Sequence, residues 1–224
     1  MPKTIDVKGV IISGDDKWIY DWFGIENVTA QDVASQLSEA NGGDVVVRIN
    51  STGGDVFAGS EIYDLLASYS GNLLIRIVGM AASAASVIAC AGESEIAPTG
   101  MLMIHNVQSY AAGDYRDMEH SAETLREANR AIMAAYRQKT GLSEQELLAM
   151  MDDETYISAE KAVEKGFVDR ISDYQKGKTP DSGVQYAAAM MGLLPAETIR
   201  KFRAERAKAQ AQLDLIKFTE VKQK

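Results

Sequence analysis

Leu73-Leu-Ile-Arg-Ile-Val-Gly-Met-Ala-Ala-Ser83-Ala-Ala-Ser86 is the stretch that decides how this chain is read. Its first six residues, apolar except for Arg76, make a run of strand length. Gly79 breaks the run, and small residues then open a helix. Ser83 therefore falls in the first turn of a helix that follows a buried strand. There, unpaired backbone N–H groups and the positive end of the peptide dipoles favour a developing anion. Ala81, Ala82, Ala84 and Ala85 leave room for another chain to approach. A nucleophilic serine needs such surroundings, and an ordinary N-cap serine has them too. Ser86 is a rival, almost a turn deeper in the helix.

Working outward, the same strand–glycine–helix pattern recurs. Asp44-Val-Val-Val-Arg-Ile-Asn50 reads as a strand, Ser51-Thr-Gly-Gly54 as a tight turn, and Asp55 to Ser68 as a helix. Upstream, Ile5 to Ile12 reads as a strand and Thr29 to Ala40 as a helix capped by Thr29. Downstream come a short strand at Ile96-Ala97 and another at Met101-Leu-Met-Ile-His105. Gly79 to Ser83 is expected to be a turn. Strands alternating with helices indicate crossover units and a mostly parallel sheet. Their near-regular spacing suggests a repeated, spiral arrangement. Functional groups gather at the carboxyl ends of parallel strands, where Gly53-Gly54, Ser83 and His105 all fall.

Tyr115 to Thr140 reads as one long helix with Leu125, Ala128, Ile132 and Tyr136 on one face. Ser143 caps the next helix, with Glu146 in capping-box position. Ile157 to Lys165 is expected to be a helix capped by Ser158, and Phe167 to Ile171 the last strand. The expected organisation is one domain over residues 1–175, a linker over 176–194 and a basic helical tail over 195–224. The tail carries eight Lys/Arg and four Asp/Glu. It is basic on an acidic body, since the chain's formal net charge is -9. It has three options: folding back, binding an acidic partner, or staying solvated.

Composition sets limits. An acidic chain without basic clusters in its body argues against nucleic acid as the main partner. The single cysteine, Cys90, rules out an intrachain disulfide framework and fits a reducing compartment. It lies in an apolar run and reads as a packed core thiol. No apolar stretch is long enough to span a bilayer, and the first residues lack a signal peptide's apolar region. A cytosolic protein is expected. No metal-ligand cluster or cofactor motif stands out. No Gly-Lys-Ser/Thr follows Gly53-Gly54, so a phosphate-binding loop is excluded.

A serine needs a base to act as a nucleophile near neutral pH. The chain has two histidines. His120 lies on the polar long helix, in Asp117-Met-Glu-His-Ser, and reads as solvated. His105 ends an apolar strand beside the strand that leads to Ser83, so the catalytic reading is the better one. The acid that orients such a base has three candidates, Asp152, Asp153 and Glu154. Gly53-Gly54 can turn a backbone N–H toward the site, because no Cβ stands in the way. The N–H of Ala84 is the natural second oxyanion donor.

Four segments then resemble one family. They are Arg48 to Asp64 with its Ser-Thr-Gly-Gly-Asp core, Gly79-Met-Ala-Ala-Ser83-Ala-Ala-Ser, Met103-Ile-His105-Asn, and Tyr156-Ile-Ser-Ala-Glu-Lys-Ala-Val-Glu-Lys-Gly-Phe-Val-Asp. In this order they resemble the proteolytic subunit of Clp protease over roughly residues 5 to 173. Ala-Ser-Ala-Ala-Ser after the glycine, His-Asn, and Glu-Thr before an aromatic are most similar to the related head-maturation proteases of tailed phages and prophages. The resemblance implies a spiral of ββα units shared with crotonase-type enzymes, with residues 115–140 as a protruding handle. It implies rings, typically heptameric and stacked, that enclose the serines in a chamber. It makes Ser83 the nucleophile, His105 the base, and Gly54 and Ala84 the oxyanion donors. Its acid position is Glu154, where the family has aspartate; Asp153 is the fallback.

Three further departures stand out. Thr52 replaces the usual proline before Gly-Gly. Asn106-Val-Gln-Ser-Tyr replaces the Gln-Pro and glycine-rich segment after the histidine. Few residues precede the first strand, so the loops that engage an unfoldase ATPase are expected to be short or absent. The expected activity is a serine endopeptidase acting on protein or peptide, with capsid or scaffold protein as the natural substrate and no cofactor. The alternatives are a general proteolytic subunit serving an unfoldase, and a non-catalytic shell or scaffold component. The serine–histidine pair argues against crotonase-type acyl-CoA chemistry, which uses carboxylates.

Overall fold

The computed structural model describes residues 2–173 and 194–221, with side-chain detail in the tail through residue 211 apart from two positions. The expected linker at 176–194 lies outside the described residues except for Leu194. Strand β1 (Lys3–Ile11) leads through a 3-10 turn and α1 (Lys17–Trp22) to β2 (Asn27–Val28). Then follow α2 (Ala30–Ala40), β3 (Val45–Gly54), α3 (Val56–Ala67), β4 (Leu73–Ala82) and α4 (Ala84–Ala89). Two short strands, β5 (Glu93–Ile96) and β6 (Met101–Ile104), precede the long α5 (Tyr115–Thr140) and α6 (Glu144–Asp152). The domain closes with β7 (Thr155–Ser158), α7 (Ala159–Glu164) and β8 (Arg170–Ile171); α8 (Ala196–Val221) is the tail.

The sheet runs β2-β1-β3-β4-β5-β8 with every pairing parallel. It forks at β4. Residues 74–77 pair with β5, and residues 80–82 pair with β6. The fork gives the spiral form expected of a mixed α/β chain of this kind. It also carries β6 beyond β5, to the level where β4 ends.

Alternation in β1, β3 and β4 sends Ile5, Val7, Val45, Val47, Ile49, Ile75 and Ile77 into one core beneath α2, α3 and α4. The opposite face is half-exposed and carries a row of charges in register. Asp6 lies beside Arg48, Arg48 beside Arg76, Arg76 beside Glu95, and Glu95 beside Arg170. Arg48 grips Asp6 through two nitrogens at 2.7 and 2.8 Å. Burial alone would raise the Asp6 pKa, but the Arg48 guanidinium and the Lys8 ammonium together outweigh it and hold the carboxyl below its ordinary value.

Local chemistry sets most helix starts. Thr29, Asp114 and Ser143 each cap a helix with a complete capping box, and Asp55 accepts from two N–H groups at the start of α3. Two expectations at the glycines are overturned. Ser51–Gly54 and Gly79–Ala82 are not turns but the last residues of β3 and β4. Their neighbours pair with them, so the chain stays extended through the glycines. Residues 155–158, expected to be partly helical, form β7 antiparallel to β6. The buried part of α5 is confined to Ile132, Met133, Ala135 and Tyr136. Leu125 and Ala128 are only half-buried, and the first two turns are exposed. A 26-residue helix is about 39 Å long, so α5 projects well beyond the core.

The tail folds back. Leu194, Ile199 and Phe202 pack on a small second core of Val10, Ile12, Ile19 and Tyr20. Phe202 meets the edges of Trp18 and Phe23. Arg203 reaches the buried Asp16 at 2.7 Å.

Candidate active site

Ser83 and His105 meet because of the fork. Ala82, the last residue of β4, stands opposite Met103 of β6. The Ser83 N–H donates to Met103 O at 2.9 Å. Two residues after Met103, the Nε2 atom of His105 lies 2.7 Å from Ser83 Oγ. Ser83 makes no side-chain cap bond to α4, so its hydroxyl is directed at the imidazole and not at the helix.

The serine backbone sits at φ 54 and ψ -126, outside the ordinary regions for a residue with a Cβ. Such a conformation costs on the order of 1–3 kcal/mol and persists only where its surroundings over-determine it. Here both flanking peptide groups are held. Met103 O takes the N–H, and the Ser83 carbonyl accepts from the Ser86 N–H at 2.9 Å and the Ser86 hydroxyl at 2.6 Å.

Gly53 lies against this junction. A Cβ placed there would stand 2.7 Å from Ser83 Cβ, 2.7 Å from Ala82 O and 3.0 Å from Ala84 N. Its N–H already donates to Ser51 Oγ at 3.0 Å. At Gly54 the missing Cβ lies on the β1 side, where it would meet Ile11 O at 2.1 Å. The two glycines thus do separate jobs: Gly53 admits the serine, and Gly54 lets β3 close on β1.

His105 is half-buried. Burial pushes its pKa below the ordinary histidine value, and the negative charge of Glu154 pulls back in the opposite direction. Glu154 itself is exposed, at φ 48, with its carboxylate 3.4 Å from the Tyr156 hydroxyl. Among the described residues no hydrogen bond joins His105 to Glu154 or to Asp153. Glu154 is the acid whose charge reaches the imidazole. Asp152 is tied elsewhere, accepting from Asn106 Nδ2 at 2.7 Å. Asn129 of α5 completes that cluster, donating to Asn106 Oδ1 at 2.9 Å and accepting the Val107 N–H at 2.7 Å. This clamp holds the chain just after His105. Nothing in the spacing of Asn106 and Asn129 announces it, because the two meet only when α5 returns to the sheet.

The arrangement defines a class: a spiral α/β domain with a serine hydroxyl and an imidazole in contact at the ends of forked strands. It can carry out acyl transfer, with the imidazole accepting the hydroxyl proton. Sequence comparison gives the family. The Clp protease model matches residues 19–175, and the chain belongs to that family. It is 31% identical over 163 residues to the ATP-dependent Clp protease proteolytic subunit of Bacteroides fragilis, covering 70% of this chain and 79% of that protein. The like-named subunit of Deinococcus radiodurans is 28% identical over 165 residues, covering 70% and 81%. Subunit 1 of Corynebacterium glutamicum is 28% identical over 162 residues, covering 69% and 78%. Among the described residues no helix is long and apolar enough to cross a membrane.

Proposed function

We propose that this chain is a serine endopeptidase with Ser83 as nucleophile and His105 as general base. The observation that carries the reading is the 2.7 Å contact between Ser83 Oγ and His105 Nε2, made by a serine held in a costly backbone conformation. In the tautomer protonated at Nδ1, Nε2 accepts the hydroxyl proton as Oγ attacks a peptide carbonyl. The tetrahedral oxyanion takes the N–H groups of Gly54 and Ala84, each donor contributing on the order of 3 kcal/mol. His105 returns the proton to the leaving amine, and water hydrolyses the acyl-enzyme. Glu154 stabilises the imidazolium by its charge, with Asp153 as the alternative acid. Labelling by a fluorophosphonate, followed by mass spectrometry, tests the assignment. Reaction in the native chain and none in Ser83→Ala is expected. A native chain that hydrolyses no peptide and takes no label would leave the non-catalytic scaffold reading in its place.

The active particle is a homo-oligomeric ring, heptameric or stacked, in the bacterial cytoplasm. The exposed length of α5 supports assembly, since residues 115–120 at its start lie exposed and Leu125 and Ala128 are only half-buried within the described residues. The substrate is a capsid or scaffold protein of a tailed phage. The variant residues around Ser83, Asn106 and Glu154 support that choice. The basic tail is the element that meets an acidic partner. Deleting residues 195–224 is expected to disrupt co-assembly while sparing peptide hydrolysis; unaltered co-assembly overturns the tail's role. A second reading is favoured by the relatives' names: each is the proteolytic subunit of an ATP-dependent protease. It expects ATP-driven degradation of a folded protein once an unfoldase is added.

A further inference from the structure

A hydrogen-bond relay runs from the long helix to the candidate nucleophile. Tyr136 of α5 and Ser86 of α4 are both fully buried, at 0% exposure. The Tyr136 hydroxyl lies 2.7 Å from Ser86 Oγ, and Ser86 Oγ lies 2.6 Å from the Ser83 carbonyl. The carbonyl has no proton to give, so Ser86 donates its single hydroxyl proton there. The Tyr136 phenol must then be the donor to Ser86. The direction of the whole chain is set: phenol to hydroxyl to the carbonyl of Ser83.

Tyr136 is in turn fixed by Phe167, whose ring meets it nearly edge-on at 5.9 Å. Burial pushes the phenol's pKa up, so it remains a donor throughout the working pH range. Two apolar side chains would fill this space without any hydroxyl. The polar pair is aimed at the one peptide group whose orientation decides where Ser83 Oγ and the Ala84 N–H point.

We propose that Tyr136, acting through Ser86, is a positioning residue that holds the Ser83 carbonyl and thereby keeps the serine in its reactive backbone conformation. The inference rests on Ser83 being the nucleophile. Removing the phenol hydroxyl leaves the Ser86 hydroxyl free to rotate. The carbonyl then loses one of its two donors for part of the time, and the serine samples the ordinary φ region.

The test is a double-mutant cycle with Tyr136→Phe and Ser86→Ala in the full chain. It reads the second-order rate of fluorophosphonate labelling at Ser83, kcat and KM on a peptide, and the thermal midpoint. Each single variant is expected to lower the labelling rate and kcat together by roughly five- to tenfold, with KM unchanged. The double variant is expected to lose no more rate than either single one, because the phenol acts only through Ser86. The pH midpoint set by His105 should stay in place. Single variants that label at the native rate while only melting earlier would overturn the inference and leave Ser83 as nucleophile. So would rate losses that multiply in the double variant. A native chain that never reacts at Ser83, with or without these changes, overturns both readings.

Discussion

Gly53→Ala perturbs the site at its tightest contact. Position 53 has φ +94, and an alanine forced there costs about 1–2 kcal/mol of backbone strain. The larger effect is steric. The new methyl would stand 2.7 Å from Ser83 Cβ, against an ordinary contact of 3.4 Å or more, so the serine must retreat by about 0.7 Å. Ala82 O, also at 2.7 Å, blocks relief along the strand. A retreat of that size opens the 2.7 Å Ser83–His105 contact to about 3.4 Å, beyond a normal hydrogen bond. Misplacement on this scale is expected to lower kcat/KM about 30- to 100-fold, or about 2–2.7 kcal/mol of transition-state stabilisation. The assay is peptide hydrolysis and fluorophosphonate labelling, with Gly92→Ala as control. At position 92 the nearest atom to a Cβ is the flexible end of the Leu73 side chain at 3.2 Å, with Ile75 Cδ1 at 4.0 Å, so rates should hold. Labelling of Gly53→Ala within threefold of the native rate would refute the argument that this glycine sets the serine's place.

Four further outcomes are expected. The acid limb of the kcat/KM profile should have its midpoint below the ordinary histidine value, because burial depresses the His105 pKa and the base must be neutral to act. Glu154→Gln removes the charge that raises it, so the midpoint should fall further and kcat should drop; a shift in Asp153→Asn instead would move the acid assignment. Cys90 should resist iodoacetamide at pH 8 in the folded chain, since burial pushes its thiol up to about 12. Alkylation should run at least about a hundredfold faster once the chain unfolds. Phe202→Ala should free the tail helix from Trp18 and Phe23, at about 1–2 kcal/mol for a half-buried ring, shifting Trp18 fluorescence while leaving the Ser83 labelling rate unchanged.

Much of the architecture was written in local chemistry. The cap at Thr29 and the capping box at Ser143 depend on side chains within three residues of each other, so they can be read without a fold. The long helix at 115–140 and the apolar strands at 45–49 and 73–77 announce themselves by period and length. Ser83 and His105 stood out as candidates because each ends an apolar run.

The pairings belong to the tertiary structure alone. Glycines at 53, 54 and 79 look like turn signals, yet they lie in strands, because a neighbouring strand supplies the hydrogen bonds and demands the close approach. The short β7 carries too little periodicity to be distinguished from the start of a helix. The 2.7 Å contact between Ser83 and His105, the Asn106–Asn129 clamp and the Tyr136–Ser86 relay join residues 22, 23 and 50 positions apart. Hydrogen bonds of that span have no local signature. They exist because β4 forks the sheet and α5 returns across it, which is a property of the packed chain as a whole.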